Sequence, residues 1–509
     1  REVFLKNAYS PEKNLKPNKD RPDLNSDGRF DWQDLELESE RVKLVEDRNG
    51  DGKAETASVY AEGFNKLTTG VGAGVLAQGE HVWFAVIPEL WRLTGNGAVA
   101  EKREALAAGF GAHVVYSGHD MHGIKLGPDG KIYWSIADCG ARVTTKEGNI
   151  IDVPDTGAVF RANPDGTEME LFASGLRNPQ SLAFNDLGDL FTGDNNADGG
   201  DKARWEHIVE GGDYGWRLGW QFLPKLGAWN AEKLWELDRG ETALSLLPSV
   251  GHIGHGPAGI AYYPGTGLPE TYRNHFFYAD FPGGIRSFAL KQKGASYTVE
   301  NPGDILQDNT PKELTGKLLW GLYPSDIAFG VDGGVYVLDW IQGWEKTGKG
   351  RIFRVHNPEV SKSSAVLETK KLLGEGMKQR GEQELSSLLD HSDQRVRLSA
   401  QWELVDRGEK GAEVLASVAS KGKDQLARLH AIWGIGQLAR KQPALLDRAT
   451  KALLMDADPQ IRAQTAKILG EAKAQQYAAD LLRLLEAPEP RVQFFAATAL
   501  SKLKSREAT

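Results

Sequence analysis

The sequence predicts a multidomain chain: an all-β six-bladed β-propeller followed by an α-helical, HEAT-like solenoid. Three observations lead there. A polar turn, a short apolar strand and a Gly/Asp turn recur together at intervals of roughly 50–80 residues. Between about Val42 and His356, strand-like runs alternate with Gly, Asp, Asn and Pro turns. From about Ser364 glycine thins out, and Leu and Ala recur at helical spacing. The chain of 509 residues therefore divides into an N-terminal segment (1–41), a propeller (42–356), a linker (357–364) and helical repeats (365–509).

The N-terminal segment is polar and poor in periodicity. Within it Asp23, Asn25, Asp27, Asp31 and Asp34 stand at loop positions 1, 3, 5, 9 and 12, with Gly28 at position 6. That spacing wraps alternating oxygens around a hard cation and predicts a calcium loop. A partial second copy runs through Asp47, Asn49 and Asp51. The alternative for both is a solvated Asp/Asn/Gly turn.

Five blade starts are clear. Lys66, His119, Arg177, His255 and Leu322 hold one position in the repeat, each just before a short apolar strand. A sixth blade would lie within 200–255, or be made by strands near Val42 and Val59 pairing with the last blade, which would close the sheet edge. Residues before the innermost strand of a blade face the central channel. The repeat thus predicts that Lys66, His119, His122, Arg177, Asn178, Gln180 and His255 converge on a polar, partly cationic pocket.

The helical part repeats as well. Asp393 to Ala400 resembles Asp424 to Ala431, and the pattern continues at Asp458 and Glu489, with Arg397, Arg428 and Arg462 in register. Helical pairs with an Asp/Pro turn at this period predict HEAT-like repeats, in which Arg and Asp brace neighbouring turns. The same repeats offer a surface for a protein partner.

Composition excludes several classes. Net charge is −9 and no basic run marks a nucleic-acid surface. No apolar stretch approaches the ~18 residues that span a membrane. Cys139 is the only cysteine, so neither an intramolecular disulfide nor a Cys-x-x-Cys-His haem attachment is present in these residues. No Gly-x-Gly-x-x-Gly opens a helix after a strand, which argues against a nicotinamide cofactor.

Three readings of the pocket remain. A histidine is the usual general base near neutral pH, and cationic and amide groups around it suit an anionic or carbonyl-rich ligand. Alternatively His119-x-x-His122 and His252-x-x-His255, with Asp120 alongside, would hold zinc, copper or iron. A third reading is a non-catalytic module that binds a glycan or protein through Trp205, Trp216, Trp220, Trp340 and Trp344.

Residues 113–220 and 322–355 resemble the soluble quinoprotein sugar dehydrogenases, six-bladed propellers that use pyrroloquinoline quinone (PQQ). The resemblance rests on His119 ten residues before Asp129, on Arg177-Asn178-Pro179-Gln180, and on Gly211-Gly212-Asp213-Tyr214-Gly215-Trp216. The chain also looks like large, often secreted multidomain proteins of the PVC-type, membrane-bound-dehydrogenase-like group, which join this propeller to HEAT repeats. Segments 118–123, 194–201 and 348–354 carry that likeness. The resemblance implies oxidation of a sugar or related alcohol, with His119 as base and Arg177 beside it. It further implies that His122, Asn178, Gln180, His255, Arg351 and Arg354 contact the quinone or substrate, and that calcium binds near Asp194, Asp198 and Asp201. Electrons would pass to an external acceptor such as a cytochrome c, in the periplasm or outside the cell. The chain departs from the family where an acidic cluster replaces the usual Gly-Pro pair of the calcium loop.

Overall fold

A computed structural model describes residues 2–51, 53–95, 97–115, 118–236, 246–300, 319–345, 347–448 and 450–504. Two short helices, α1 (Glu2–Ala8) and α2 (Trp32–Leu35), precede a two-stranded ribbon of β1 (Glu40–Glu46) and β2 (Thr56–Phe64). The first blade follows: β3 (Gly72–Gln78), β4 (His81–Val86), β5 (Glu89–Thr94) and β6 (Lys102–Ala108). The second contains β7 (Met121–Leu126) and β8 (Ile132–Ile136). A side hairpin of β9 (Ala141–Thr144) and β10 (Ile150–Val153) interrupts it before β11 (Gly157–Ala162) and β12 (Glu170–Leu176).

The third blade is β13 (Ala183–Phe184), β14 (Leu190–Asp194) and β15 (Arg204–Ile208); the next strand, β16 (Gly212–Asp213), returns to pair in parallel with β12. After α3 (Ala228–Ala231) the fourth blade comprises β17 (Pro257–Tyr262), β18 (His275–Asp280), β19 (Gly283–Lys293) and β20 (Ser296–Val299), and β21 (Trp320–Leu322) pairs with β19. The fifth is β22 (Pro324–Phe329), β23 (Val335–Trp340) and β24 (Gly350–Val355). Aromatic side chains fill the blades and the joins between them. Phe110, Trp134 and Phe160 pack in the second blade, and Phe191, Trp205, Phe276 and Phe288 pack where the third meets the fourth.

Among the described residues the propeller has five blades, not six. The early strands do not pair with the last blade. β1 and β2 pair with each other, and Tyr60, Ala61 and Phe64 of β2 pack on Phe84, Val86 and Leu93 of the first blade. Burying that apolar face against β4 and β5 competes with edge pairing and leaves β24 as an edge strand.

The helical region runs through α4 (Ser364–Glu375), α5 (Glu382–Leu388), α6 (Gln394–Asp406), α7 (Glu409–Lys421), α8 (Gln425–Lys441), α9 (Thr450–Leu453), α10 (Pro459–Glu471), α11 (Ala478–Leu484) and α12 (Pro490–Leu503). The repeated Asp of the sequence is an N-cap. Asp393, Asp424 and Asp458 accept from the backbone N–H groups of Arg395, Ala427 and Gln460 at the starts of α6, α8 and α10. Arg428 and Arg462 brace successive repeats through Asp456 and Glu489. Arg397 departs from that scaffold role and reaches Asp186 of the propeller.

That contact is one of a series. Helices α6, α8, α10 and α12 rest on the turns that follow the innermost strands. Gln401 and Gln437 donate to Pro128 O at 2.6 and 2.8 Å, and Arg440 donates to Asp129 O at 2.8 Å. Arg491 pairs with Asp189 at 2.8 Å, and Arg395 donates to Phe329 O at 2.8 Å. Asp393 accepts from the Thr266 hydroxyl. The turn glycines are needed for this approach: at Gly188 (φ 74°) a Cβ would sit 2.7 Å from the Trp433 ring, and at Gly130 (φ 76°) it would sit 2.5 Å from the Gln437 amide oxygen.

The buried cations carry much of the docking. Arg161 of β11 is fully buried and bonds Glu170 (2.6 Å), Glu210 (3.3 Å) and Glu471 of α10 (3.0 Å). Burial alone would raise the Asp189 carboxyl, but Arg491 and His207 beside it hold it well below the usual carboxylate range. Removing one partner of such a pair leaves an uncompensated charge. Arg491→Leu is therefore expected to destabilise the full chain by roughly 3–5 kcal/mol, read as a lowered urea midpoint, and adding Asp189→Asn should recover part of that loss.

Candidate functional site

Three blades carry an aspartate at or next to the end of the second strand, opposite a proline of the innermost strand or its preceding turn, and all three do the same thing. Asp194 accepts the backbone N–H groups of Arg177 (2.9 Å) and Asn178 (2.7 Å), and its second oxygen accepts Arg204 Nη2 at 2.6 Å. Asp280 accepts the N–H groups of His255 and Gly256, each at 2.9 Å, and pairs with Arg286 at 2.7 Å. Asp339 accepts the N–H of Tyr323 at 2.8 Å and pairs with Arg351 at 2.8 Å. Each carboxylate thus staples the turn before the innermost strand to an arginine on the third strand. Charge-assisted bonds of this kind are short and strongly directional.

The second blade has Ile136 at that register position, opposite Met121, and its aspartate, Asp138, lies two residues further on. Asp138 Oδ1 lies 2.7 Å from His119 Nδ1, and Oδ2 accepts Trp216 Nε1–H at 2.9 Å. A carboxylate can only accept, so Nδ1 carries a proton, and in the neutral imidazole Nε2 is the basic nitrogen. The backbone N–H of Asp138 donates to Arg177 O at 2.8 Å, and the Arg177 guanidinium lies 5.6 Å from the centroid of the Trp216 ring. His119, Asp138, Trp216 and Arg177 therefore form one network at the start of the inner strands. His119 is 6 % exposed and Arg177 4 %.

The sequence-predicted residues divide around this network. His122 is buried next to His119 and bonds Gly118 O at 3.1 Å; burial, chiefly, pulls its imidazole down to about 4 and keeps it neutral. Gln180 donates to the same carbonyl at 3.2 Å. Arg177 Nη1, Asn178 Oδ1 and Asn195 Oδ1 are buried without a hydrogen-bond partner among the described residues. An unpaired buried polar atom costs about 1–3 kcal/mol, so this cluster suits a ligand bearing both donors and acceptors.

Other calls need correction. Lys66 pairs with Glu89 at 2.6 Å, and the His255 imidazole is exposed while its backbone is held by Asp280. Arg351 is the staple to Asp339, and Arg354 pairs with Asp332 at the far end of the blade, so neither guanidinium is directed to a cofactor at His119. The Asp194 carboxylate is filled by N–H groups and Arg204. Asp201 is filled by the N–H of Ala197 and by Trp229 Nε1, and Asp198 is exposed. These side chains do not form a calcium cage. Among the described residues, His119, His122, His252 and His255 do not bring three ligand atoms within 4.8 Å of one another, which removes the basis of the transition-metal reading. Trp205 and Trp216 are buried in packing, not on a rim, while Trp344 is exposed.

In the first calcium-like loop the carboxylates serve the backbone. Asp23 accepts from Asp27 and Gly28, Asn25 from Asp27, and Asp34 from Leu24, Asn25 and Asp31. Asp31 caps α2. In the second loop Asp47, Asp51 and Glu55 do bring three oxygens within 4.8 Å of one another, all exposed, with Asn49 accepting the N–H of Asp51.

Asp138 and Arg204 were not among the sequence candidates, and Trp216 was one only as a ring that would stack on a glycan. Asp194, Asp280 and Asp339 recur in register near the ends of the second strands, but Ile136 holds that position in the second blade, so the recurrence did not point to Asp138. Glu206 was also missed. Arg204 lies between two fully buried carboxylates, Asp194 at 2.6 Å and Glu206 at 3.1 Å, and one cation cannot compensate both. Burial, chiefly, pushes the Glu206 carboxyl up to about 7 despite Arg204. The folded state therefore binds a proton here that the unfolded chain releases near pH 4.5, so this stabilisation is complete below 4.5 and is lost as pH rises through about 7. The Glu206 share amounts to at most about 3 kcal/mol across that window. Urea denaturation at stepped pH should show this decline in the parent chain and its disappearance in Glu206→Gln.

The chain is similar to several known proteins. Over 269 residues the chain is 24% identical to quinoprotein glucose dehydrogenase B of Acinetobacter calcoaceticus, covering 47% of this chain and 50% of that protein. The chain thus spans about half the length of that relative. The PQQ-bound aldose sugar dehydrogenase of Streptomyces coelicolor is 17% identical, with 62% of this chain and 87% of that one covered at a TM-score of 0.38. The pyranose dehydrogenase PQQ domain of Coprinopsis cinerea is 12% identical, with 58% and 89% covered at a TM-score of 0.37. HEAT repeats match residues 443–509. The expected relationship to quinoprotein sugar dehydrogenases, joined to HEAT repeats, is met. Residues 17–344, more than half of the chain, match the family described as Domain of unknown function (DUF7133), and the chain belongs to that family.

Proposed function

We propose that the chain is a quinoprotein-type oxidoreductase that oxidises a sugar or related alcohol. The observation that carries this reading is the buried Asp138–His119 pair of the second blade. The stapling aspartates of three other blades tie down backbone, whereas Asp138, two residues past that register position, orients an imidazole. His119 would take the substrate hydroxyl proton at Nε2, and Asp138, accepting from Nδ1–H, would stabilise the imidazolium that results. Near-complete burial would keep water from competing for that proton.

The residues around His119 suit a planar, carbonyl-bearing group. Arg177 and Asn178, each with a buried unpaired polar atom, would hold PQQ, with Gln180 beside them. PQQ, when bound, supplies a two-electron acceptor. Calcium belongs in this reading at the turn joining β1 and β2, where Asp47, Asp51 and Glu55 converge. Electrons would leave to an external acceptor such as a cytochrome c. A protein partner on the repeats would use the row of α5, α7 and α11, since α6, α8, α10 and α12 are occupied by the propeller. No helix among the described residues is long and apolar enough to cross a membrane.

The test is dye reduction over a panel of sugars and alcohols after loading with PQQ and calcium. The parent chain should turn over. His119→Ala and Asp138→Asn should each lose about 10²- to 10⁴-fold in kcat/KM while still binding PQQ. Turnover unchanged in both variants would contradict the assigned base.

A further inference from the structure

After Trp216 the chain leaves the blades and folds over the loop between β14 and β15. Residues 217–236 form short helical turns and α3, and Trp216, Leu226, Trp229 and Trp235 pack with Ala197 into a small core of their own. Trp229 Nε1 donates to Asp201 at 2.8 Å and Asn230 Nδ2 donates to Gly199 O at 2.8 Å, so this segment and the 194–201 loop form one layer. Phe222 and Leu223 stand exposed at its tip.

Gln221 points from this layer into the network. Its Oε1 accepts from Arg177 Nε at 3.3 Å and Nη2 at 3.2 Å, and its Nε2 donates to Ala197 O at 3.4 Å. All three bonds are long. A neutral amide thus occupies the two-nitrogen edge of a buried guanidinium, the edge that pairs best with a carboxylate. The backbone beside it is strained: Lys225 (φ 51°) and Leu226 (φ 61°) are consecutive non-glycine residues in the left-handed region, next to Gly227. Such strain costs of order 1 kcal/mol or more per residue and is found at ligand clamps and switch segments.

We propose that Gln221 is a displaceable latch, and that residues 217–236 are the lid that carries it. The amide stands in for an oxygen pair of the ligand. A carboxylate, or two adjacent carbonyl oxygens, displaces it because a charge-assisted pair with the same guanidinium edge is about twice as strong as a neutral one. Arg177 thereby selects ligands that offer a bidentate oxygen edge. The choice of PQQ as probe rests on the quinoprotein reading above; the latch itself does not.

The test uses the full chain with Gln221→Ala and Gln221→Glu. PQQ is titrated while the tryptophan fluorescence is followed, and hydrogen exchange over 217–236 is measured without ligand. Removing the latch should tighten PQQ binding several-fold and speed exchange. A glutamate, which forms an ion pair with Arg177, should weaken binding at least tenfold at neutral pH and slow exchange. Equal weakening by both substitutions would reduce Gln221 to a packing residue and overturn the proposal. If no chain binds PQQ, the quinoprotein reading fails on its own. Exchange then decides the latch: opposite changes in the two variants support it, and unchanged exchange overturns it.

Discussion

A buried carboxylate near the end of the second strand is the constraint on which this propeller depends. Such a group must be paired with charge and hydrogen-bond donors, or it destabilises the fold by several kcal/mol. In three blades the pairing is met by an arginine on the third strand and by the N–H groups of the turn before the innermost strand. Each blade thereby fixes the turn that faces the axis. Asp138 meets the same requirement with the side chains of His119 and Trp216. The second blade thus places its carboxylate two residues beyond the stapling position, which Ile136 holds, and uses it on side chains instead of backbone.

The solenoid occupies the other end of the same strands. An inner strand of about six residues spans ~20 Å, which separates the His119 network from the turns held by α6, α8, α10 and α12. The helices thus leave the candidate site uncovered while locking the blades to one another from below. Asp186 and Asp189 of a single turn are held by Arg397 of α6 and Arg491 of α12, so distant repeats converge on one blade. The cover over the site comes instead from the propeller, through Gln221 and the tryptophans around it.

Much of this was legible in the sequence. The repeating polar turn and strand located the five blades, and the repeated Asp proved to be the N-cap that starts three of the four docked helices. The recurrent Gly/Asp turns were visible too, but their purpose was not, because it depends on helices some 300 residues further on. The closure of the propeller was misjudged, since the apolar face of β2 finds Phe84 of the first blade rather than the last blade. Within the proposed site, the motifs singled out His119 and Arg177, whereas Asp138 was overlooked because it stands two residues outside the register of Asp194, Asp280 and Asp339. The guanidiniums of Arg351 and Arg354 were misassigned because a single sequence shows a cation without the carboxylate that already holds it.

The buried Asp138–His119 pair is the centre of the account, and its direct consequence is the protonation pattern of one imidazole. The decisive measurement is ¹⁵N NMR of the histidine-labelled chain near neutral pH, with the His119 signals assigned by His119→Gln. The account predicts a proton on Nδ1 and a basic, unprotonated Nε2, a pattern that Asp138→Asn abolishes. A proton on Nε2 in the parent chain, or signals indifferent to Asp138→Asn, would contradict it.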